Sequence, residues 1–331
     1  MKKELLIIPV ICCIAGLGAL FFLIPLSEDS LVRVSTIQPN MSYLLSPPVY
    51  VNHTFSFGKG NVTITVPVNL SEYYGAKNTD KHVFAPPGVS LTVWEGKSIR
   101  SMIGDPAQKD LFDDLLDQFH AIRNEQNLTD DEYVDLLSAY VQSIDYYTNF
   151  GDPAKYPVET VYEGKGDCDD KSLLLAGLLS REGYNVSLLL FEKDHHVVVG
   201  IGSDDNLYQD TGYAFLDIMD YSFVGVPVNR LRGATNMYSG AVIIPVGDGT
   251  KIYHSGAETR YIGDMADASD LRSLNLSFRM RDIGKDTAEN ISEYDALAGK
   301  FYADSRIHTY IIRHRFDRAG VYEYLKNATL V

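Results

Sequence analysis

Three kinds of side chain that together can carry out acyl-transfer chemistry follow one another in the middle of the chain. Cys168 stands after a glycine-containing turn and four residues before the start of the apolar run Ser172–Leu179. His195 and His196 come next, and Asp210 follows them. A thiol at a helix start, a histidine and a carboxylate can act as nucleophile, base and orienting acid. This order predicts a cysteine-histidine-aspartate site.

The position of Cys168 bears on the reactivity of its thiol. A free cysteine thiol has a pKa of ~8.5 and is mostly protonated at neutral pH, whereas the thiolate is the nucleophile. The positive end of a helix dipole and a neighbouring imidazolium both lower that pKa. Asp167, Asp169 and Asp170 raise it, although carboxylates in a first helical turn also serve as caps. Because three aspartates suit a helix start near solvent, we predict a nucleophile rather than a buried packing residue.

Two further segments must bring the histidine and the acid to the thiol. The pattern of Asp194–Ile201 predicts a strand that returns past the start of the cysteine-bearing helix. Adjacent histidines on a strand point to opposite faces, so only one of His195 and His196 can meet Cys168. The periodicity leaves that choice open. A third predicted strand, Asn206–Thr211, would bring a carboxylate to the imidazole and orient it.

Composition excludes several other classes of protein. The chain has 331 residues, of which 45% are hydrophobic and 22% charged, and this is typical of globular proteins. A net charge of −15 without basic runs argues against nucleic acid and anionic lipid surfaces as partners. Cys12 and Cys13 lie in an N-terminal apolar segment, so Cys168 has no partner for an internal disulfide. No zinc or EF-hand spacing occurs and no cofactor motif is present, so we expect neither metal nor cofactor.

The N-terminus predicts a membrane anchor. Residues 5–25 carry no charged side chain, and with Leu26 they span roughly 33 Å as a helix, enough for a hydrocarbon core of ~30 Å. Two lysines precede this segment and two acidic residues follow it, which orients the N-terminus towards the cytoplasm. A cleaved signal peptide is the alternative, but the apolar run is long and lacks a small-x-small cleavage site. We therefore expect a single-pass protein whose bulk is extracytoplasmic.

Asparagine usage agrees with an extracytoplasmic location. Nine asparagines begin an Asn-x-Ser/Thr triplet, the acceptor pattern for N-glycosylation. They are Asn40, Asn52, Asn61, Asn69, Asn127, Asn185, Asn275, Asn290 and Asn327. The alternative is that asparagine, serine and threonine share turns for local reasons. We predict a glycoprotein.

Composition and periodicity divide the chain into five parts. We predict a cytoplasmic tip and transmembrane anchor over 1–26, a stalk over 27–48, a β-rich module over 49–104, a catalytic core over 105–225 and a C-terminal α/β extension over 226–331. The first module includes a hairpin around Gly58–Gly60 and a strand at Val89–Trp94. The core begins with two amphipathic helices, the second opened by a capping box at Thr129–Glu132.

The C-terminal extension is predicted to mix strands and helices. Ala241–Val246 and Thr250–His254 flank a Gly-Asp-Gly turn and favour a hairpin. Alternation predicts strands, and helical spacing predicts helices. The expected strands are Ser273–Arg281 and Ile307–Arg315, and the expected helices are Ser292–Ala303 and Gly320–Lys326.

The region around Cys168 resembles the transglutaminase-like superfamily of papain-like cysteine enzymes. It looks most like the archaeal membrane-anchored members that are predicted to be cysteine peptidases. The resemblance covers roughly residues 133–211, and its most specific block is Gly166–Ser172 with the helix that follows. Tyr156–Thr160 and His196–Ile201 are weaker blocks. The chain has Ser172 where the family often has alanine.

The resemblance implies a fold and a set of roles. The fold would be of the α+β class, with the cysteine-bearing helix packed on an antiparallel sheet, β-rich additions and one N-terminal transmembrane helix. Cys168 would be the nucleophile. His196 rather than His195 would be the base, since the family's histidine is followed by a short β run like Val197–Val199. Asp210, followed by threonine, would be the orienting acid.

These features together predict an extracytoplasmic, membrane-anchored cysteine amidohydrolase or peptidase. Its partners would be a peptide or protein amide substrate and the membrane, through the N-terminal helix. The backbone N–H of Cys168 and the hydroxyl of Tyr146 or Tyr147 are candidate donors to the oxyanion. Acyl transfer to a lysine amine by the same triad is one alternative. A non-catalytic surface module that binds peptide or cell-wall material is the other.

Overall fold

The segment before the first strand packs against the rest of the protein. The computed structural model describes residues 31–148, 153–231, 240–283 and 287–330. The predicted anchor over 1–26 lies outside these ranges, and within them no helix is long and apolar enough to cross a membrane. Val32 and Ile37 are buried, and the N–H of Ile37 donates to the Asp105 carboxylate at 2.8 Å. The described part of the predicted stalk is thus bound to the core, because its few apolar residues find partners there.

An antiparallel hairpin and two helices form the region predicted as a β-rich module. Strands β1 (Val49–Phe57) and β2 (Gly60–Val68) pair along their whole length, as predicted. Helices α1 (Leu70–Asn78) and α2 (Leu91–Ile103) follow. The strand expected at Val89–Trp94 is wrong, because this short alternating run opens α2. That helix buries Met102 and Ile103 and packs on the cysteine-bearing helix, a contact that local alternation does not reveal.

The two predicted amphipathic helices are confirmed. They are α3 (Lys109–Gln126) and α4 (Asp130–Ser143). The capping box at the start of α4 is present, since the Thr129 side chain accepts from the Glu132 N–H and the Glu132 carboxylate accepts from the Thr129 N–H. Their apolar faces lie in the main hydrophobic core.

A short parallel strand pair brackets the start of the cysteine-bearing helix. Strand β3 (Asp145–Tyr146) pairs with β4 (Lys165–Gly166), and α5 (Pro157–Glu163) lies between them in the chain. Helix α6 (Cys168–Arg181) follows directly and is buried over most of its length.

The central sheet has four antiparallel strands. In chain order they are β5 (Val186–Phe191), β6 (His196–Gly202), β7 (Tyr213–Leu216) and β8 (Val242–Pro245), and their order in the sheet is β7-β6-β5-β8. Helix α6 packs on one face, against β6 and β5. A second apolar cluster, which includes Phe191, Val198 and Tyr208, lies on the other face.

Strand β8 corrects two of the predictions. It pairs with β5 rather than with residues 250–254, so the expected hairpin is wrong. Residues 251 and 253 instead form isolated bridges with Tyr184 and Ser203. The core already holds β5 in place. Its unpaired edge is therefore a better hydrogen-bonding partner for β8 than the segment that follows the Gly-Asp-Gly turn. A domain boundary at 225 would therefore cut the central sheet.

The C-terminal part is helical apart from β8. It contains α7 (Val228–Leu231), α8 (Gly256–Asp282), α9 (Ala288–Arg313) and α10 (Arg318–Lys326). The helices expected at Ser292–Ala303 and Gly320–Lys326 are confirmed. The strands expected at Ser273–Arg281 and Ile307–Arg315 are wrong, because both segments lie in the long antiparallel pair α8 and α9, whose mutual packing overrides the local alternation.

The overall class is α+β, as predicted, and the two larger sheets are antiparallel. One apolar core joins the β1-β2 hairpin, α3, α4, α6 and the central sheet. The nine predicted glycosylation asparagines are exposed or partly exposed. Two of them have a structural role as well, since Asn40 and Asn69 cap helix starts through their side chains.

Candidate active site

Cys168 is the first residue of α6, and its neighbours build the helix start. The Asp167 side chain accepts from the N–H groups of Asp169 and Asp170, while the Asp170 carboxylate accepts from the Asp167 N–H. This reciprocal cap needs a glycine before it. A Cβ at Gly166 would lie 2.7 Å from the Cβ of Asp170. The aspartates around the thiol therefore have a structural role as caps.

The sulfur of Cys168 lies against the backbone of β6. The backbone N–H of Val197 interacts with it and lowers the pKa of the thiol. One helical turn later, Ser172 Oγ donates to the carbonyl oxygen of Val197 at 3.3 Å. The two side chains therefore fix α6 on the strand that begins at His196. This gives Ser172 a structural function that alanine at this position could not perform.

The Cys168 thiol is held in its protonated form. It is 8% exposed, and its Sγ lies 3.7 Å from Oδ1 of Asp169. Burial raises the pKa of the Cys168 thiol to about 12, and the charges of Asp169 and Asp167 contribute in the same direction. The helix dipole acts the other way. A thiolate does not preexist at neutral pH, so attack by this sulfur requires a base.

The two histidines have different surroundings. His195 is exposed and ends a 3-10 turn with a φ of 47°. His196 is the first residue of β6, is 7% exposed and stacks on Phe191, which belongs to the apolar cluster on the sheet face away from α6. Burial lowers the pKa of His196, although the charges of Asp217 and Asp194 raise it. A neutral imidazole at pH 7 is the form that can accept a proton.

Asp210 does not lie where the third predicted strand would have put it. Residues 206–211 form a turn, since Asn206 and Gln209 have positive φ values and the Thr211 hydroxyl donates to the Tyr208 carbonyl. Asp210 is exposed in this turn. The carboxylate that acts most strongly on the His196 imidazole is that of Asp217.

Asp217 reaches this position through strand pairing. Leu216 pairs with Val199, which puts Asp217 just beyond the end of β7 and close to the start of β6. Its carboxylate is buried and accepts from the N–H groups of Met219 at 3.0 Å and Val228 at 2.9 Å. Asp217 is thus a fixed acceptor rather than a mobile surface charge.

A buried lysine joins the end of α4 to this network. Lys171 lies on α6, has no exposed surface and donates to the carbonyl oxygens of Gln142 at 3.2 Å and Ile144 at 2.7 Å. Burial lowers its pKa to about 8, while nearby carboxylates, Asp220 and Asp217 among them, raise it. Gln142 Nε2 in turn donates to the Asp217 carbonyl oxygen at 2.7 Å.

Tyr146, one of the two candidate oxyanion donors, lies in β3, next to the start of α6. Burial raises the pKa of its hydroxyl, and the charge of Cys168 is the next largest contribution. The Lys165 ammonium lies over the ring of the neighbouring Tyr147, and its Nζ is 4.4 Å from the centre of that ring. The Cys168 N–H donates a hydrogen bond to no acceptor among the described residues. Of the two tyrosines considered, Tyr146 is thus the one whose hydroxyl interacts electrostatically with the sulfur.

The sequence contains a signal for Asp217, but residue spacing alone does not favour Asp217 over Asp210 as the orienting acid. Asp217 directly follows the apolar run Ala214–Leu216, and an acid at the end of a returning strand can meet the start of its neighbour. Glu95, which approaches Asp169 from α2, has no signal in the sequence because the two residues are far apart in the chain.

No group of three or more histidine, cysteine, aspartate or glutamate side chains within the described ranges could hold a metal ion. Comparison with known proteins gave no matching family model, curated protein or solved structure.

Proposed function

We propose that the protein is a cysteine amidohydrolase or peptidase with a transglutaminase-like core. Cys168 is the nucleophile, His196 the base and Asp217 the orienting acid. The observation that supports this proposal is that Cys168 and His196 both lie at the start of β6. The Val197 N–H, next to His196 in the chain, lowers the pKa of the Cys168 thiol, and the Asp217 carboxylate acts on the His196 ring. Catalysis further requires the His196 ring, which stacks on Phe191 on the sheet face away from α6, to reach the sulfur.

The chemistry requires His196 to act while the sulfur attacks. The Cys168 sulfur bonds to the amide carbonyl carbon as its proton passes to the neutral imidazole, and a tetrahedral oxyanion forms. The C–N bond then breaks, and the imidazolium gives the proton to the leaving amine. Water, deprotonated by His196, hydrolyses the thioester and releases the acid. Asp217 stabilises the imidazolium that forms in both halves of the reaction.

The substrate and compartment are part of the same proposal. The substrate is a peptide or protein amide, and the site works outside the cytoplasm on a chain anchored by its first 26 residues. An amine in place of water would turn hydrolysis into acyl transfer by the same residues. Product analysis with added amine distinguishes the two reactions.

One observation favours a second candidate, a non-catalytic binding module. The pKa of the Cys168 thiol is raised to about 12, which is the opposite of what a preformed thiolate-imidazolium pair needs. An inherited groove could then bind peptide without cleaving it.

Alkylation of Cys168 by iodoacetamide as a function of pH separates the two candidates. For an enzyme, we expect His196→Ala to change the profile and to slow alkylation near neutral pH by tenfold or more. Cys168→Ala should abolish amide cleavage and the burst of acylation in the full-length protein. A profile that His196→Ala leaves unchanged supports the binding module. Amide cleavage that survives in Cys168→Ala would exclude this sulfur as the nucleophile.

A further inference from the structure

A cavity lies between α2, α6 and the central sheet, and its lining includes Asp169, whose Oδ1 is 3.7 Å from the Cys168 sulfur. Its volume is about 130 Å³. It is close in size to a cavity of ~150 Å³ that holds a benzene ring, so it can accept one side chain of a substrate. Its walls are Glu95, Ser98, Ile99, Met102, Ala154, Asp169, Leu173, Leu188, Leu190, Val197 and Ile244.

The walls of this cavity are apolar, and they come from the elements that position the thiol. Leu173 lies on α6, Leu188 and Leu190 on β5, and Val197 on β6 next to His196. The Val197 N–H also lowers the pKa of the Cys168 thiol. A side chain bound in the cavity would therefore contact Asp169 and Val197, the two lining residues that interact with the sulfur.

The two charged residues that line the cavity are both carboxylates. Glu95 projects from α2, and Asp169 from the first turn of α6. Burial raises the pKa of Glu95 to about 7 and that of Asp169 to about 6, because each carboxylate lacks a full solvent shell. Asp169 and Glu192 also act on Glu95, and Asp167 and Asp170 act on Asp169. All of these neighbours are acidic.

An alkyl chain that ends in a cation satisfies both features of the cavity. The methylene groups replace water against the leucine and valine side chains, and the cation lies between two carboxylates that have no positive partner in the lining. A neutral alkyl group would leave the carboxylates buried without compensation, and an anion would be repelled.

We propose that this cavity is a specificity subsite for a lysine- or ornithine-type side chain, whose ammonium group binds between Glu95 and Asp169. The inference rests on the proposed function, because it assigns to the Cys168 site a substrate with a basic residue beside the cleaved amide. It also couples binding to reactivity. The ammonium neutralises Asp169, whose carboxylate opposes ionisation of the thiol.

Three small probes test the subsite without any turnover. n-Butylammonium is the lysine side chain itself, 1-butanol is its neutral counterpart and butyrate is its anionic one. Ligand-observed NMR titration of the full-length protein at pH 8.5 gives the three dissociation constants. We expect n-butylammonium to bind at least tenfold more tightly than 1-butanol, and butyrate more weakly than both.

Two variants and one control make the test specific. Glu95→Gln should reduce the preference for n-butylammonium over 1-butanol to threefold or less. Ala154→Leu, which enlarges a side chain lining the cavity, should weaken binding of all three probes. Glu125→Gln removes an exposed carboxylate on α3 and should leave the preference unchanged.

The outcomes separate this inference from the proposed function. Equal binding of n-butylammonium and 1-butanol, or a preference that Glu95→Gln leaves intact, overturns the subsite even if Cys168 is a nucleophile. If the subsite binds n-butylammonium but Cys168→Ala retains amide cleavage, the catalytic assignment fails and the subsite stands. When cleavage is observed, peptides with lysine should exceed those with norleucine at this position by tenfold or more in kcat/KM.

Discussion

The sulfur of Cys168 and Oδ1 of Asp169 lie 3.7 Å apart on the first turn of α6. A carboxylate at this distance stabilises the protonated thiol and offsets the helix dipole. The same carboxylate lines the cavity between α2, α6 and the central sheet. The reactivity of the thiol is thus tied to the charge state of one neighbouring side chain.

Removing the Asp169 charge should make the thiol more acidic. We expect Asp169→Asn to lower the pKa of Cys168 by about one unit or more, because unit charges a few ångströms apart interact by several kcal/mol at an effective dielectric constant of ~20. The midpoint of the iodoacetamide alkylation profile measures this shift. Glu125→Gln is the matched control and should leave the midpoint in place. An unchanged midpoint in Asp169→Asn would mean that burial alone holds the proton.

The two candidate acids can be separated by paired amide substitutions. Asp217→Asn should lower kcat/KM for amide cleavage by a factor on the order of 10³ to 10⁴, because the imidazolium loses its stabilising carboxylate. Asp210→Asn, in the exposed turn, should change it by about twofold or less. The alkylation profile provides a readout that does not depend on turnover, and Asp217→Asn should shift it. If Asp210→Asn is the more damaging change, Asp210 rather than Asp217 is the orienting acid.

The proposed role of the Tyr146 hydroxyl as an oxyanion donor can be tested by comparing Tyr146→Phe with Tyr147→Phe. Tyr146→Phe should reduce kcat by about 10- to 100-fold with little change in KM, because an oxyanion donor acts only in the transition state. Tyr147→Phe keeps the ring beneath the Lys165 ammonium and should leave kcat within about twofold. Steady-state kinetics of both variants decide the assignment. Equal effects of the two substitutions would count against a specific role for Tyr146.

The acidic cavity should make stability depend on pH. Glu95 and Asp169 have pKa values of about 7 and about 6 in the folded protein, above their ordinary values of 4.5 and 3.8. The folded state therefore holds more protons than the unfolded state between about pH 4 and pH 7, and the free energy of unfolding falls as pH rises through this window. In the double variant Glu95→Gln/Asp169→Asn, the free energy of unfolding should no longer show the part of this decrease with pH that the two carboxyl groups cause.

Urea unfolding at pH 5 and pH 8 measures this difference. At pH 8 we expect the double variant to be more stable than the natural protein by about 1–2 kcal/mol, a figure reduced for the partial exposure of Glu95. Glu72, whose pKa burial also raises to about 7, titrates in the same window and remains in both proteins. A double variant with an undiminished slope would assign the pH dependence to groups outside the cavity.

Lys171 should act in the opposite direction at higher pH. Burial lowers its pKa to about 8 from 10.5, so the unfolded state binds more protons between these values and the free energy of unfolding rises with pH there. Lys171→Met should lack that rise. At pH 7 it should also be about 2 kcal/mol less stable, because the Gln142 and Ile144 carbonyls lose their donor. Thermal and urea unfolding at pH 7.5 and pH 10 test both statements.

The elements that the sequence predicted correctly are those with strong local signals. The β1-β2 hairpin, α3 and the capping box of α4 each depend on residues only a few positions apart. The start of α6 at Cys168 is also local, because the glycine before the cap is required by the Asp170 side chain next to it. Such signals survive tertiary packing because packing reinforces them.

The failed predictions share a different physical origin. Residues 273–281 and 307–315 alternate like strands, yet the long antiparallel contact between α8 and α9 makes them helical. Strand β8 pairs with the edge of β5 and not with residues 250–254, which follow it in the chain. In each case a partner remote in sequence decided the outcome.

The candidate site shows the same division. The sequence by itself determined that Cys168 begins a helix and that a histidine begins a later strand. Only the tertiary structure decided which histidine is buried, and it made the charge of Asp217 rather than that of Asp210 act on the imidazole. The reason is that the pairing of Leu216 with Val199 sets the distance between Asp217 and His196, which are 21 positions apart in the chain. Pairing register of this kind is a property of the assembled sheet, not of either strand alone.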